Sequence, residues 1–401
     1  MSDISTPDIV LRPLDSLDAD HFKQLSSAPP CGGQVATLLL PMEKKGAETR
    51  KNRITFKNAL GDLREQLEAL GMKQGKLAVA LRGLAPLDAP THAFWQHQRE
   101  GLAMILREDG RIDCFGLPFR PDAYVHLGET PYLRPLARLI GGFEAHVLVL
   151  DLDRVRLFRA TRWRVEEMEL QHTPLSLAEA MATDDPEKSL QQRTVSSSNL
   201  GGEGGATTAF HGHGITGDET RRKRARRFFE QVENGVRATI GKLELPLVLF
   251  GPDDEVGLYR SLNHHPKLCP GDIRFNASHL DRGRLDTMIR DWMAERDAAQ
   301  RTKNLESLHA GLAKGGALDR IDEIVRAADN GRVSTLFLQT GARRFGVVDA
   351  EGATVHPQPE PGDEELLGRA VRTVASQGGD IHFLAADAMP DGRPAAALLR
   401  F

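Results

Sequence analysis

Short uninterrupted apolar runs alternate along the chain with longer stretches in which apolar residues recur every three or four positions. The first run, VATLLL at 35–40, is stopped by Pro41 and reads as a buried strand. After it, Ile54, Leu60, Leu63, Leu67 and Leu70 recur at helical spacing and Gly71 follows as a stop, which predicts a helix over 54–70. Leu102–Leu106 and the segment around Cys114–Pro118 predict two strands that pair, and LRPLARLIGG closes the block. Residues 1–142 are expected to form one mixed α/β domain.

At Val147 the texture changes. HVLVLDLDRVRLFRATRWRVEEMEL predicts two or three strands with a turn at Asp151–Asp153. Residues 171–217 are polar and rich in Ser, Thr and Gly, and read as one long loop. A helix follows, with Thr216 and Glu219 as a capping box and Ala225, Phe228, Phe229, Val232, Val236 and Ile240 as its apolar face. PLVLFG is then a strand, and 143–276 form a second expected domain. The last third, 277–401, repeats a helix–strand rhythm: a long helical region over Leu285–Leu312, then ALDRIDEIVRAADNG before VSTLFL, then DEELLGRAVRTVASQGG before IHFLAA. The expected fold class is α/β, with three mixed α/β domains.

Composition narrows the function classes. With 401 residues, 40% hydrophobic and 27% charged, the chain is ordinary for a globular protein of two or three domains. A net charge of −4 makes the surface as a whole no ligand for polyanions, so any nucleic-acid contact needs a local basic patch. Cys31, Cys114 and Cys269 lie far apart, which argues against a disulfide framework or zinc knuckle and fits a reducing cytoplasm. The opening segment lacks an apolar run and no stretch approaches the length of a membrane span, so neither a secretory leader nor a membrane partner is expected.

One segment supplies that patch. RRKRARR places Arg221, Arg222, Lys223, Arg224, Arg226 and Arg227 within seven positions of the second-domain helix, a local field suited to phosphate backbones. The bland alternatives are a solvated helix face or a surface for an acidic protein. Upstream, Gly201, Gly202, Gly204 and Gly205 would let backbone amides approach a ligand closely, although no P-loop pattern is present. His211 and His213, even with His264 and His265, make no recognised ligand set, so no metal is expected.

Four stretches, ITFKNALGDLREQLEALG (54–71), HVLVLDLDRVRLFR (146–159), ALDRIDEIVRAADNGRVSTLFLQ (317–339) and GGDIHFLAADAMPDGRPAAALLRF (378–401), are similar in order and content to the archaeo-eukaryotic class I release factor and Pelota superfamily, specifically its bacterial members. The resemblance implies a third domain like kink-turn-binding ribosomal proteins and an overall shape that imitates tRNA. It also implies the ribosome as partner, through rRNA and tRNA, with a translation-factor GTPase as a candidate second partner; no cofactor is expected. In that family a Gly-Gly-Gln at the tip of the middle-domain loop hydrolyses peptidyl-tRNA. Gly32-Gly33-Gln34 does not match that location and reads instead as a turn into the strand at 35–40. The positional counterpart here is Gly201-Gly202-Glu203, where an anion would oppose stabilisation of a developing oxyanion. The leading expectation is a ribosome-associated factor in rescue, stalling or dormancy, without standard Gly-Gly-Gln hydrolysis. Two alternatives stay open. One is a peptidyl-tRNA or other ester hydrolase with Glu203 as base, assisted by His211 or His213. The other is a stress-related protein-interaction module.

Overall fold

The computed structural model describes residues 9–12, 17, 19–27, 34–69, 71, 78–89, 93–140, 142–184, 214–241, 245–271, 273–274, 281–350, 352–360 and 362–401. The protein is a mixed α/β chain with several sheets. It packs into two compact units, one of Met1–Gly142 with Ala298–Phe401 and one of Phe143–Asp297.

In the first unit, β1 (Ile9–Arg12), β2 (Val35–Pro41), β3 (Gly101–Arg107), β4 (Ile112–Leu117) and β5 (Tyr124–Gly128) form a sheet in the order β1-β4-β3-β2-β5, antiparallel except for β1 beside β4. Both faces of β2 and β3 are covered, which is why they read as continuous apolar runs rather than alternating ones. Helix α1 (Ala19–Ser27) precedes β2. Helix α2 (Arg50–Ala69) places Phe56, Leu60, Leu63 and Leu67 against Leu38, Leu40, Leu102 and Met104. Asn52 on this helix is buried, yet it donates to the carbonyls of Glu43 and Trp95 and accepts from the Glu43 amide, so its polarity is satisfied. The short helices α3 (Ala78–Leu84) and α4 (Arg134–Ile140) complete this stretch. Gln34 enters β2 with its amide donating to Glu108 at 2.7 Å.

The second unit is a three-layer sandwich. Strands β6 (Ala145–Val149), β7 (Arg156–Ala160), β8 (Val165–Met168), β9 (Leu247–Gly251) and β10 (Ile273–Arg274) lie in the order β10-β9-β6-β7-β8, the first three mutually parallel. Alternation sends Leu148, Leu157 and Leu249 to one face, beneath α6 (Gly214–Ile240) and α7 (Asp253–Leu262). Val147, Phe158, Val248 and Phe250 go to the other face, where Leu285, Ile289, Trp292 and Met293 of α8 (Arg282–Lys314) meet them. This is why residues 282–297 pack with the second unit although the sequence reading drew a line at 276.

The stretch 171–217 is not a single loop. Helix α5 (Leu177–Asp184) lies within it, and α6 already starts at Gly214. Ser176 and Glu179 cap α5: the Ser176 hydroxyl accepts from the Glu179 amide at 3.1 Å, the Glu179 carboxylate accepts from Leu175 at 2.8 Å, and Ala180 enters the core. Thr216, expected as the cap of α6, falls inside its first turn instead.

The rest of the first unit contains β11 (Ala317–Leu318), α9 (Ile321–Asp329), β12 (Val333–Gln339), β13 (Phe345–Val348), β14 (Ala353–His356), β15 (Glu364–Glu365), α10 (Leu366–Ser376), β16 (Asp380–Leu384) and β17 (Ala395–Leu399). One sheet runs β11-β17-β12-β16 and a smaller one β14-β13-β15. Helices α1 and α4 both pack on α10, so the first and last stretches of the chain share one packed body.

Candidate nucleic-acid interface

Helix α6 is anchored on one side only. At about 100° per residue, Ala225, Phe228, Phe229, Val232 and Val236 fall in an arc about 100° wide; all five are buried, and the last four share a core with Tyr259, Leu262 and the sheet. Phe229 meets Tyr259 edge-on with ring centroids 6.1 Å apart. Gly235 is buried on the same side and lets the 171–175 segment cross the helix closely. A β-carbon there would stand 1.6 Å from the Thr173 hydroxyl oxygen. That crossing is held by the Gln171 amide, which donates to the Thr239 hydroxyl at 3.0 Å, and by the Thr173 hydroxyl, which donates to the Gln171 carbonyl.

Burial of that arc turns the remaining circumference to solvent. Arg221, Arg222, Lys223, Arg224, Arg226 and Arg227 are all exposed. Lys223 and Arg227 lie opposite the apolar arc, and Arg222, Arg224 and Arg226 flank it. Two carboxylates share the surface: Glu219 pairs with Lys223 and Glu230 with Arg226, each at 3.1 Å and four residues apart. Such exposed pairs are worth about 0.3–0.5 kcal/mol and exchange readily with phosphates. Among the described residues from 219 to 230, six cations face two acids, and the cations lie within about 9 Å of helix axis. That is close to one Debye length at physiological salt, so the charges act as a single field.

Arg221 differs from the other five. Its azimuth is that of the apolar arc, one turn before Ala225, and its charge acts on Glu255 at the start of α7. Burial pushes the Glu255 carboxyl up to about 7, and the neighbouring Asp151 and Asp153 add to this, while Arg221 and the Leu152 amide oppose it. Glu255 Oε2 is enclosed without a hydrogen-bond partner among the described residues. The sequence reading passed over Glu255, which sits in an acidic run, DDE, that looks like an ordinary helix start. Elsewhere on α6, buried Glu233 lies 3.3 Å from His264 Nδ1.

The other expected site residues, Gly201, Gly202, Glu203, Gly204, Gly205, His211 and His213, lie outside the described residues, as do Gly32 and Gly33. His265 Nδ1 accepts from the Lys267 amide at 3.1 Å. Among the described residues, no group of three or more His, Cys, Asp or Glu is placed to hold a metal ion, and no helix is long and apolar enough to cross a membrane.

Residues 146–332 match the model of bacterial archaeo-eukaryotic release factor family 3. That span runs from β6 through the basic helix and α8 to the end of α9. No curated protein sequence matches the chain. Among solved structures, an archaeal translation termination factor, aRF1, is 14% identical over 98% of this chain and 99% of its own, with a TM-score of 0.22. Pelota of Archaeoglobus fulgidus is 13% identical over 75% and 79%, with a TM-score of 0.27. A chain in a model of ribosome-bound archaeal Pelota and ABCE1 is 12% identical over 98% and 95%, with a TM-score of 0.38. These superpositions are loose, and the assignment rests on the family match. By that match the stretch 146–332, a little under half of the chain, is similar to the bacterial archaeo-eukaryotic release factors of family 3.

Proposed function

We propose that this chain is a ribosome-associated translation factor whose middle domain presents α6 to ribosomal or transfer RNA. The observation that carries this is the exposed cluster Arg222–Arg227 on a helix whose opposite face is fixed in the core. Guanidinium groups suit phosphate oxygens, and a rigid support lowers the entropic cost of contact. Functionally the chain is read as the three domains expected from sequence, 1–142, 143–276 and 277–401, with the start of the third, residues 282–297, packed on the second. A translation-factor GTPase is its second partner. It acts in rescue, stalling or dormancy, and Glu203, in place of the family's glutamine, leaves standard peptidyl-tRNA hydrolysis without its customary water-positioning group.

The test is co-sedimentation of the full-length protein with purified ribosomes, with and without limited nuclease treatment. Binding that falls as salt rises and disappears with the RNA supports the reading. Association that persists after RNA digestion refutes it in favour of a protein-interaction module.

A further inference from the structure

A second concentration of arginine lies in the first unit, far in sequence from the basic helix. Loop 119–122, helix α4, the turn after β12 and Phe383 of β16 enclose a half-open cavity of about 180 Å³. Arg120, Arg134, Arg138 and Arg343 line it, with Asp122 as the one carboxylate of the lining. Phe119, Tyr132 and Phe383 supply its aromatic wall.

The guanidiniums are held, not loose. Arg134 is 4% exposed and donates to the carbonyls of Gln339, at 2.6 Å, and Ala342. Arg138 stacks on Phe119 with its guanidinium carbon 4.2 Å from the ring centroid, and Arg343 stacks on Tyr124 at 4.0 Å. Stacking engages the face of a guanidinium, which leaves the N–H edge of Arg343 as a hydrogen-bond donor. Arg120 at the rim is paired with Glu43 at 3.0 Å, whereas among the described residues no carboxylate forms an ion pair with Arg343. The cavity therefore carries a net positive lining on pre-set donors, in a volume close to that of a cavity that admits one six-membered ring.

We propose that this cavity binds a small phosphate-monoester anion. Arg343 and Arg138 grip the phosphoryl oxygens, Arg134 supplies a fixed positive background, and any ring carried by the ligand lies against the aromatic wall. Planar, forked donors favour phosphate and its esters over spherical anions such as chloride. The proposal does not depend on the ribosomal role of α6.

Titration calorimetry and thermal shift of the full-length protein with inorganic phosphate, adenosine monophosphate and adenosine, in chloride buffer, test this. Both phosphate-bearing probes are expected to bind and to raise the melting temperature, and adenosine is not. The nucleotide binding more tightly than phosphate identifies a ligand with a ring, and equal affinities identify phosphate alone. Arg343→Gln and Arg138→Gln are each expected to weaken binding about tenfold or more. Arg343→Lys, which keeps the charge and loses the fork, falls between. Both positions are partly exposed, so the unliganded melting temperature of each variant checks that the fold is intact; Arg134 is left unchanged because its backbone hydrogen bonds hold the unit together. Absence of binding by both phosphate-bearing probes at millimolar concentration overturns the proposal. So does equal affinity of adenosine, or undiminished binding by the folded Arg343→Gln variant.

Discussion

Replacing Arg222, Arg224 and Arg227 together with Gln isolates the charge of α6 from its packing. These side chains are exposed and lie off the buried arc, while Glu219 pairs with Lys223 and Glu230 with Arg226. Fold stability should move by no more than about 0.5 kcal/mol per substitution, the usual range at exposed positions. If each cation neutralises one phosphate, the slope of log K against log salt should become shallower by about 2–3, at roughly 0.7–0.9 per contact. Over a fourfold range of salt this amounts to a difference of about tenfold to a hundredfold in how far affinity falls. The assay is equilibrium binding to purified ribosomes at a series of salt concentrations, with melting temperature as the control. A folded triple variant with unchanged affinity and unchanged slope would refute the reasoning.

Three further outcomes follow from the same helix and its surroundings. Glu255→Gln should stabilise the protein at pH 8 by about 1–2 kcal/mol after allowance for solvent screening, with no difference near pH 4.5, as measured by urea unfolding. The sign follows from a carboxyl raised to about 7 in the folded state: its contribution is fully present below the unfolded value near 4.5 and is lost as pH rises through 7. Gly235→Ala should cost about 1–3 kcal/mol by displacing the Thr173 crossing, and an unaltered melting temperature would contradict that packing. Glu203→Gln separates the catalytic readings in a peptidyl-tRNA hydrolysis assay: a general-base role for Glu203 requires loss of turnover, and a degenerate release tip requires no loss, with gain as the informative extreme.

What was legible in the sequence depended on how completely each element is buried. Strands β2, β3, β6 and β9 are covered on both faces and stand out as apolar runs, and α2 and α6 each carry a broad apolar stripe. Strands β13 and β14 were passed over because they are short and half covered, with Val347 and Val355 on the surface. Helix α5 was lost inside a polar stretch, although Ser176 and Glu179 carried a capping signal. The same pattern at Thr216 and Glu219 pointed to a helix start three residues late, since a capping box is a local preference that further helical turns can override. The six cations of α6 were legible as a run because helix geometry needs only local spacing to group them. The arginine cavity was not, because Arg134 and Arg138 come from one end of the unit's sequence and Arg343 from the other, and only tertiary packing brings them together.

Electron cryomicroscopy of ribosomes carrying this protein addresses the role of α6 most directly. The expected map places the face bearing Arg222, Arg224 and Arg227 within hydrogen-bond distance of RNA phosphates. A map in which the protein is bound while that face points to solvent, or to a ribosomal protein, would contradict the account.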